Sequence, residues 1–357
     1  MSSSSPSTAT EPSAAAPKFS IAVATYRRPE LLKECVASVL RQTCGDFELL
    51  VGNDFPGEKL TRESLGTDDP RVRVINNEVN LRPWGNMNKL LGLARGSYLI
   101  WLADDDMLAA DHLEAVAEAL RDRSAPGAVI TAYCSGQTFS GEAQGYRGKI
   151  EIMTGRAFMR GLTSRRLGAV GFAVYEKQHL LRIGGIAKLG NGPFSPYNDT
   201  LLGVSAGTLR SVAFIHSPLY FFRTHSESPS ASSTNVEMFF TAQVDYVRRS
   251  AEVLREPALL PDFNRNLADL LAGCIGDFFV VIARSGLMEA QVLGKYTDFM
   301  CEASSPLPRA AKLRLRALLA AHLARAALNI ARYRLRNGAG RLHSSTPAEA
   351  DGGKPKS

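Results

Sequence analysis

Cysteine is scarce and unpaired in this chain. Cys35, Cys44, Cys134, Cys274 and Cys301 are odd in number and include no C-x-x-C pair. That argues against a disulfide scaffold and a thiolate zinc site, and it suits reduced thiols in a cytosolic protein. Long apolar runs are missing too. The best candidate, Leu270 to Ala283, is interrupted by Asp277 and falls short of the roughly 18 residues of a spanning helix. No basic stretch leads into an apolar run at the N-terminus, so no signal peptide is expected. Acid is absent from one region. Eight Lys and Arg residues lie between Arg309 and Arg336 without an Asp or Glu, in a chain whose net charge is +7. The remainder is therefore close to neutral, which removes the electrostatic footprint of a nucleic-acid-binding protein from it.

What is present fits one large α/β domain with an appended module. The chain has 357 residues, 45% hydrophobic and 22% charged, enough to bury a sizeable core. Residues 1–17 are nearly all Ser, Ala, Thr and Pro, and residues 338–357 are rich in Gly, Ser, Pro and Lys. Both are expected to be disordered tails. Between them, short apolar runs at 19–24, 47–51, 71–75, 98–102 and 128–133 predict strands. Helical spacing over 30–42, 85–94 and 110–121 predicts helices between them. Further strands are expected at 169–175 and 211–215, and a short helix after Asn198-Asp199. From residue 234 to 337 the pattern is helical. Strands alternating with helices imply a mostly parallel, Rossmann-like sheet covered on both faces.

Ligands of such sheets sit beyond the carboxyl ends of the strands. Three polar signals fall there: Thr25-Tyr26, Asn53-Asp54 and Asp104-Asp105-Asp106. Three adjacent carboxylates after a buried strand repel one another, and a divalent cation is the usual remedy. Oxygen ligands suit Mg²⁺ or Mn²⁺, which keep coordination places for phosphate oxygens. The competing reading is a solvated acidic turn at the start of the next helix.

Three segments in order resemble the inverting family 2 glycosyltransferases of GT-A fold. They are Val23-Ala-Thr-Tyr-Arg-Arg-Pro-Glu-Leu-Leu32 with Ser38–Thr43, Asn80–Asn88 running to Ala94-Arg-Gly-Ser-Tyr98, and Trp101-Leu-Ala-Asp-Asp-Asp106. The resemblance covers Phe19 to Ser228. It implies a nucleotide-sugar donor, most simply a uridine one, and a divalent cation. It places Thr25 at the base or ribose with Tyr26 and Arg28 nearby, Asp54 on the base, Asp104 near the ribose or metal, and Asn88 in the same cleft. Asp105 and Asp106 are the expected metal contacts. Where the family has glycine this chain has Arg82, read as a surface arginine or, alternatively, a diphosphate contact. Trp84 is read as a packed core residue, and Ala103 replaces a common acid before the triplet.

The second half is expected to supply the base. An acceptor hydroxyl needs a carboxylate beside it to attack at neutral pH. Asn198-Asp199 falls where the family has its Glu-Asp pair, which makes Asp199 the implied general base; its alternative is a helix cap. Arg223-Thr-His225 to Ser230 resembles the family's closing loop, with Arg223 near the phosphates and His225 completing the metal shell or touching the diphosphate. The expected organisation is a GT-A domain over 18–233 and an α-helical C-terminal module over 234–337. Helix 309–336 carries an apolar stripe among arginines, which suits packing on the neighbouring helices, a second copy in a homo-oligomer, or peripheral contact with a cytoplasmic membrane face. The acceptor is expected to be a glycan or lipid-linked glycan. The rival readings are a sugar nucleotidyltransferase, disfavoured because no glycine-rich loop follows the first strand, and an inactive sugar-binding scaffold.

Overall fold

Each buried strand of this chain is apolar on two sides, so it must be covered on two sides. In the computed structural model, which describes residues 16–167, 173–225, 234–285 and 290–338, that is what the elements do. The strands are β1 (Phe19–Thr25), β2 (Phe47–Asn53), β3 (Val72–Asn76), β4 (Tyr98–Ala103), β5 (Met107–Leu108), β6 (Ala128–Gly136), β7 (Ile150–Met153), β8 (Ala173–Glu176) and β9 (Val212–Arg223). The helices are α1 (Pro29–Leu40), α2 (Arg82–Leu93), α3 (His112–Ala119), α4 (Gly155–Thr163), α5 (Lys177–Arg182), α6 (Asn198–Ala206), α7 (Val236–Val253), α8 (Phe263–Ser285), α9 (Ala290–Ala303) and α10 (Arg309–Gly338).

Side chains alternate across β1, and each face acquires its own core. Ile21 and Val23 pack with Leu32, Val36 and Val39 of α1 and Leu113 of α3. Ala22, with Leu50 and Leu99, packs against Leu90 and Leu91 of α2 and Leu202 of α6. Pro29 opens α1 in place of a side-chain cap, where its missing N–H costs nothing.

The sheet runs β3-β2-β1-β4-β8-β6-β9-β5, with β7 on β9. Its first four strands are parallel. The sheet is mostly parallel, as expected, and three described strands run against that direction. β8 is antiparallel to both β4 and β6, and β5 and β7 are antiparallel to β9. β6 and β9 nonetheless keep the direction of β1, since β9 pairs with β6 in parallel. The strand expected at 211–215 runs on to Arg223 as β9, which absorbs His216-Ser217 at a register shift against β6. Of the strand expected at 169–175, residues 169–172 lie outside the described residues, as do the tail residues 1–15 and 339–357.

From α7 onward the described chain is helical, and its core is shared with Leu189, Met159 of α4 and Val204 of α6. Leu260–Ser285 is long and apolar enough to cross a membrane, with mean hydropathy 1.7, which corrects the sequence estimate of its length. Just over half of its apolar stretch, 56%, is buried inside the protein, while Leu260 and Val280 remain exposed. Leu267, Leu271, Ile275 and Phe278 of α8 are buried among Phe240 of α7, Tyr296 of α9 and Leu315 of α10.

Candidate functional site

Parallel pairing brings the expected polar residues to one edge. Thr25 is opposite Asn53, and Ala24 is opposite Ala103. The carboxyl ends of β1, β2 and β4 therefore deliver Thr25, Asp54 and Asp104 to a common cleft of about 500 Å³. Tyr26, Arg28, Asn80, Arg82 and Pro83 complete its first-half lining, and Pro193 and Phe194 close it from the second half. A larger cavity of about 740 Å³ touches Gly127 and Ser211, at the amino ends of β6 and β9. It lies at the opposite edge of the sheet from the carboxylates.

Asp54 is held in place by a polar relay. Its Oδ1 accepts the Leu81 N–H at 2.8 Å and Asn77 Nδ2 at 3.0 Å. Asn77 Nδ2 also meets Asn86 Oδ1 at 3.1 Å, and Asn86 Nδ2 donates to the Gly52 carbonyl at 2.7 Å. Asp54 and Asn86 are buried, so this relay fixes one carboxylate oxygen and leaves the other for a ligand. Beside it Tyr26 stands 45% exposed, edge-on to Phe55 at 5.6 Å. It supplies an aromatic face at the cleft mouth.

The triplet separates into two environments. Asp104 Oδ2 accepts Thr25 Oγ1 at 2.7 Å, and Arg28 Nη1 lies 3.2 Å from Asp104 Oδ1 and 3.0 Å from Asp105 Oδ2. His225 Nε2 is 2.9 Å from the same Asp105 oxygen. An ionised carboxylate only accepts, so Nε2 carries the proton in that pairing. Desolvation raises the Asp104 pKa, the Arg28 charge opposes it and the Asp105 charge adds to it. Asp106 turns inward. It is 1% exposed, and its two oxygens take the Tyr220 hydroxyl at 2.7 Å and the Arg223 N–H at 2.9 Å. Desolvation, then the Asp105 charge, push its pKa up to about 7.

Several expectations are corrected by these placements. Asp106 is not set out as a metal contact, because both oxygens are bonded within the protein. Arg223 does not reach the cleft: its Nη2 pairs with Glu34 at 2.7 Å and the side chain is buried beside Met107. Asn88 does not line the cleft either. Its amide exchanges two hydrogen bonds with the Ile186 backbone, at 2.9 and 2.8 Å. Asn86 takes that place. Arg82, with φ of 65°, lines the cleft instead of standing apart from it, and Trp84 packs partly buried against the α2 side core as expected.

Asp199 stands apart from this cluster. It is exposed on the first turn of α6, with Oδ1 accepting the Thr200 N–H at 2.7 Å. Desolvation by the surrounding protein raises its pKa, a push that its open position tempers. The closing-loop residues 226–230 lie outside the described residues.

Among the described residues no three His, Cys, Asp or Glu side chains converge as a ready metal cage. Asp105 and His225 still fit a divalent cation. His225 Nε2 and Asp105 Oδ2 are 2.9 Å apart; with the proton between them given up, both would bind one ion, and Mg²⁺ or Mn²⁺ takes its other ligands from phosphate and water.

Residues 20–181 match the family model for glycosyl transferase family 2. The chain is 36% identical over 102 residues to an uncharacterized glycosyltransferase of Methanocaldococcus jannaschii, covering 28% of this chain and 35% of that one. It is 34% identical over 95 residues to the GalNAc(5)-diNAcBac-PP-undecaprenol beta-1,3-glucosyltransferase of Campylobacter jejuni, covering 26% and 31%. The chain thus spans about a third of the length of these relatives. Among solved structures, S. aureus TarS 1-349 superposes with a TM-score of 0.53 at 16% identity, over 85% of this chain and 91% of that one. Its complex with UDP-GlcNAc gives 0.50. At that identity the likeness shows the GT-A fold alone.

Proposed function

From a chain whose residues 20–181 belong to glycosyl transferase family 2, we propose an inverting glycosyltransferase that moves a sugar from a uridine diphosphate donor to a hydroxyl of a glycan or lipid-linked glycan. The observation that carries this reading is the cleft itself. Asp54, Thr25 and Asp104 share it with Arg28, at the one sheet edge where parallel strands end together. The UDP-GlcNAc complex of TarS and the undecaprenol-linked substrate in the name of the Campylobacter relative support the donor and acceptor classes.

Each residue then has a task. The Asp54 oxygen outside the relay accepts an N–H of the base. Tyr26 and Pro83 flank that base at the cleft mouth. Thr25 and Asp104 face the ribose, and Arg28 and Arg82 bring positive charge to the diphosphate. Asp105 and His225 would hold a Mg²⁺ or Mn²⁺, which supplies charge neutralisation for the leaving diphosphate. Asp199 removes the proton of the acceptor hydroxyl as its oxygen bonds to the anomeric carbon. The bond from that carbon to the diphosphate oxygen breaks with its electron pair, which leaves with the nucleotide. Attack opposite the leaving group inverts the centre. Phe194, which lines the cleft, precedes Asp199 by five residues in the same connection.

The catalytic residues lie within 18–233, and 234–337 forms the helical module. Nucleotide release from a panel of UDP-sugars with Mn²⁺ tests the proposal. Release by the wild type and at least a ~100-fold loss in Asp199→Asn are expected. Wild-type rates in that variant would remove Asp199 from the mechanism.

A further inference from the structure

α10 carries two apolar stripes, and packing consumes only one. Leu315 and Leu319 are buried against the helical core, with Leu318, Leu323 and Ala326 partly buried beside them. At about 100° per residue, Leu313, Ala317, Ala320, Ala324 and Leu328 fall within an arc of about 80° on the opposite side. All five are exposed, Leu313 by 55% and Leu328 by 51%. Arg314 and Arg325 border this ridge on one side and Arg316 on the other. These three arginines are exposed and make no close ion pair among the described residues, although the Arg314 charge reaches Asp269 on α8. Residues 309–338 contain no acid.

We propose that this outer face of α10 docks on an anionic lipid surface. An apolar ridge with cations on both flanks lies in a bilayer interface with the ridge in the acyl boundary. The arginine stems then follow the ridge and their guanidinium groups reach lipid phosphates. A second copy of the chain suits the ridge less well. Two such faces brought together would set arginine rows against each other with no carboxylate of α10 between them. A nucleic acid would satisfy the arginines but strand Leu313 and Leu328 against polar groups. The docking face is remote in sequence from the donor cleft, and the proposal stands whether or not the catalytic reading does.

Co-sedimentation of the full chain with vesicles tests it. One set is neutral phosphatidylcholine, the other contains anionic phosphatidylglycerol. The chain is expected to pellet with the anionic set at low salt and to be released as salt screens the attraction. Arg314→Glu/Arg316→Glu/Arg325→Glu is expected to weaken partitioning at least ~100-fold. Leu313→Gln/Leu328→Gln is expected to weaken it ~10-fold. These side chains are exposed, so both variants should keep the wild-type thermal melt, which separates lost docking from lost folding. Equal binding to neutral vesicles, no binding to either set, or unchanged partitioning of the triple variant would overturn the proposal. So would tighter binding to duplex DNA than to vesicles, or a dimer that the leucine variant dissolves.

Discussion

His225 places Nε2 2.9 Å from Asp105 Oδ2 across 120 residues of sequence. This contact joins the end of β9 to the turn after β4, and it is the only point where the second half supplies an imidazole to the triplet among the described residues. If the pair holds a divalent cation, His225→Ala should weaken nucleotide affinity about 10- to 100-fold with Mn²⁺ present. Without metal the same substitution should change affinity little. Calorimetric titration of UDP under both conditions makes the comparison. An equal loss in both would assign His225 a purely structural part.

Gly52 tests the relay behind Asp54. A methyl group there would run into the Asn86 carboxamide, and Asn86 is buried between β2 and α2. Gly52→Ala should cost about 1–3 kcal/mol by overpacking. Displacing Asn86 also releases Asn77 and Asp54, so UDP affinity should fall about tenfold. Urea unfolding reads the first effect and calorimetry the second.

Tyr220 separates the structural carboxylate from the ligand-facing ones. Its hydroxyl bonds Asp106 at 2.7 Å in a fully buried setting. Tyr220→Phe should destabilise the fold by about 1–3 kcal/mol, because a buried acceptor loses its partner. Mn²⁺-dependent UDP affinity should stay within about twofold. A large loss of metal-dependent binding would restore Asp106 as a metal contact.

His179 sets a pH dependence of stability. It is buried on α5 against Ser205, and desolvation, then the Arg182 charge, lower its pKa from 6.5 to about 4. The folded state therefore keeps the ring neutral while the unfolded chain protonates it below pH 6.5. Stability is expected to be full above pH 6.5, to fall between 6.5 and 4, and to level off below 4. The loss from this group is about 3 kcal/mol. Urea midpoints across that range should show a shallower fall in His179→Gln than in the wild type.

Much of this arrangement could be read from residues in order. Short apolar runs ending in Thr25, Asp54 and Asp104 located the cleft, because strand direction alone decides where their ends meet. Choices between neighbours could not be read that way. Asn86 and Asn88 lie two positions apart on α2, about 200° around the helix, and only tertiary packing shows which one faces the sheet. Asp105 meets Arg28 and His225 while Asp106 turns into the core, because Tyr220, 114 residues later, claims Asp106. Arg223 was drawn to phosphates by its motif, but Glu34 on α1 takes it first. Pro193 and Phe194 enter the cleft from the loop 184–196, expected from the sequence to meet the acceptor, but a glycine-rich loop carries no periodicity to show which of its residues do so.

The most direct test of the account is a calorimetric titration of UDP into wild type and Asp105→Asn, with Mn²⁺ and again after chelation. Binding by the wild type with Mn²⁺, lost on chelation and weakened at least ~10-fold by the substitution, is the predicted result. The same UDP affinity in all four conditions would contradict a cleft built to hold a cation and a diphosphate together.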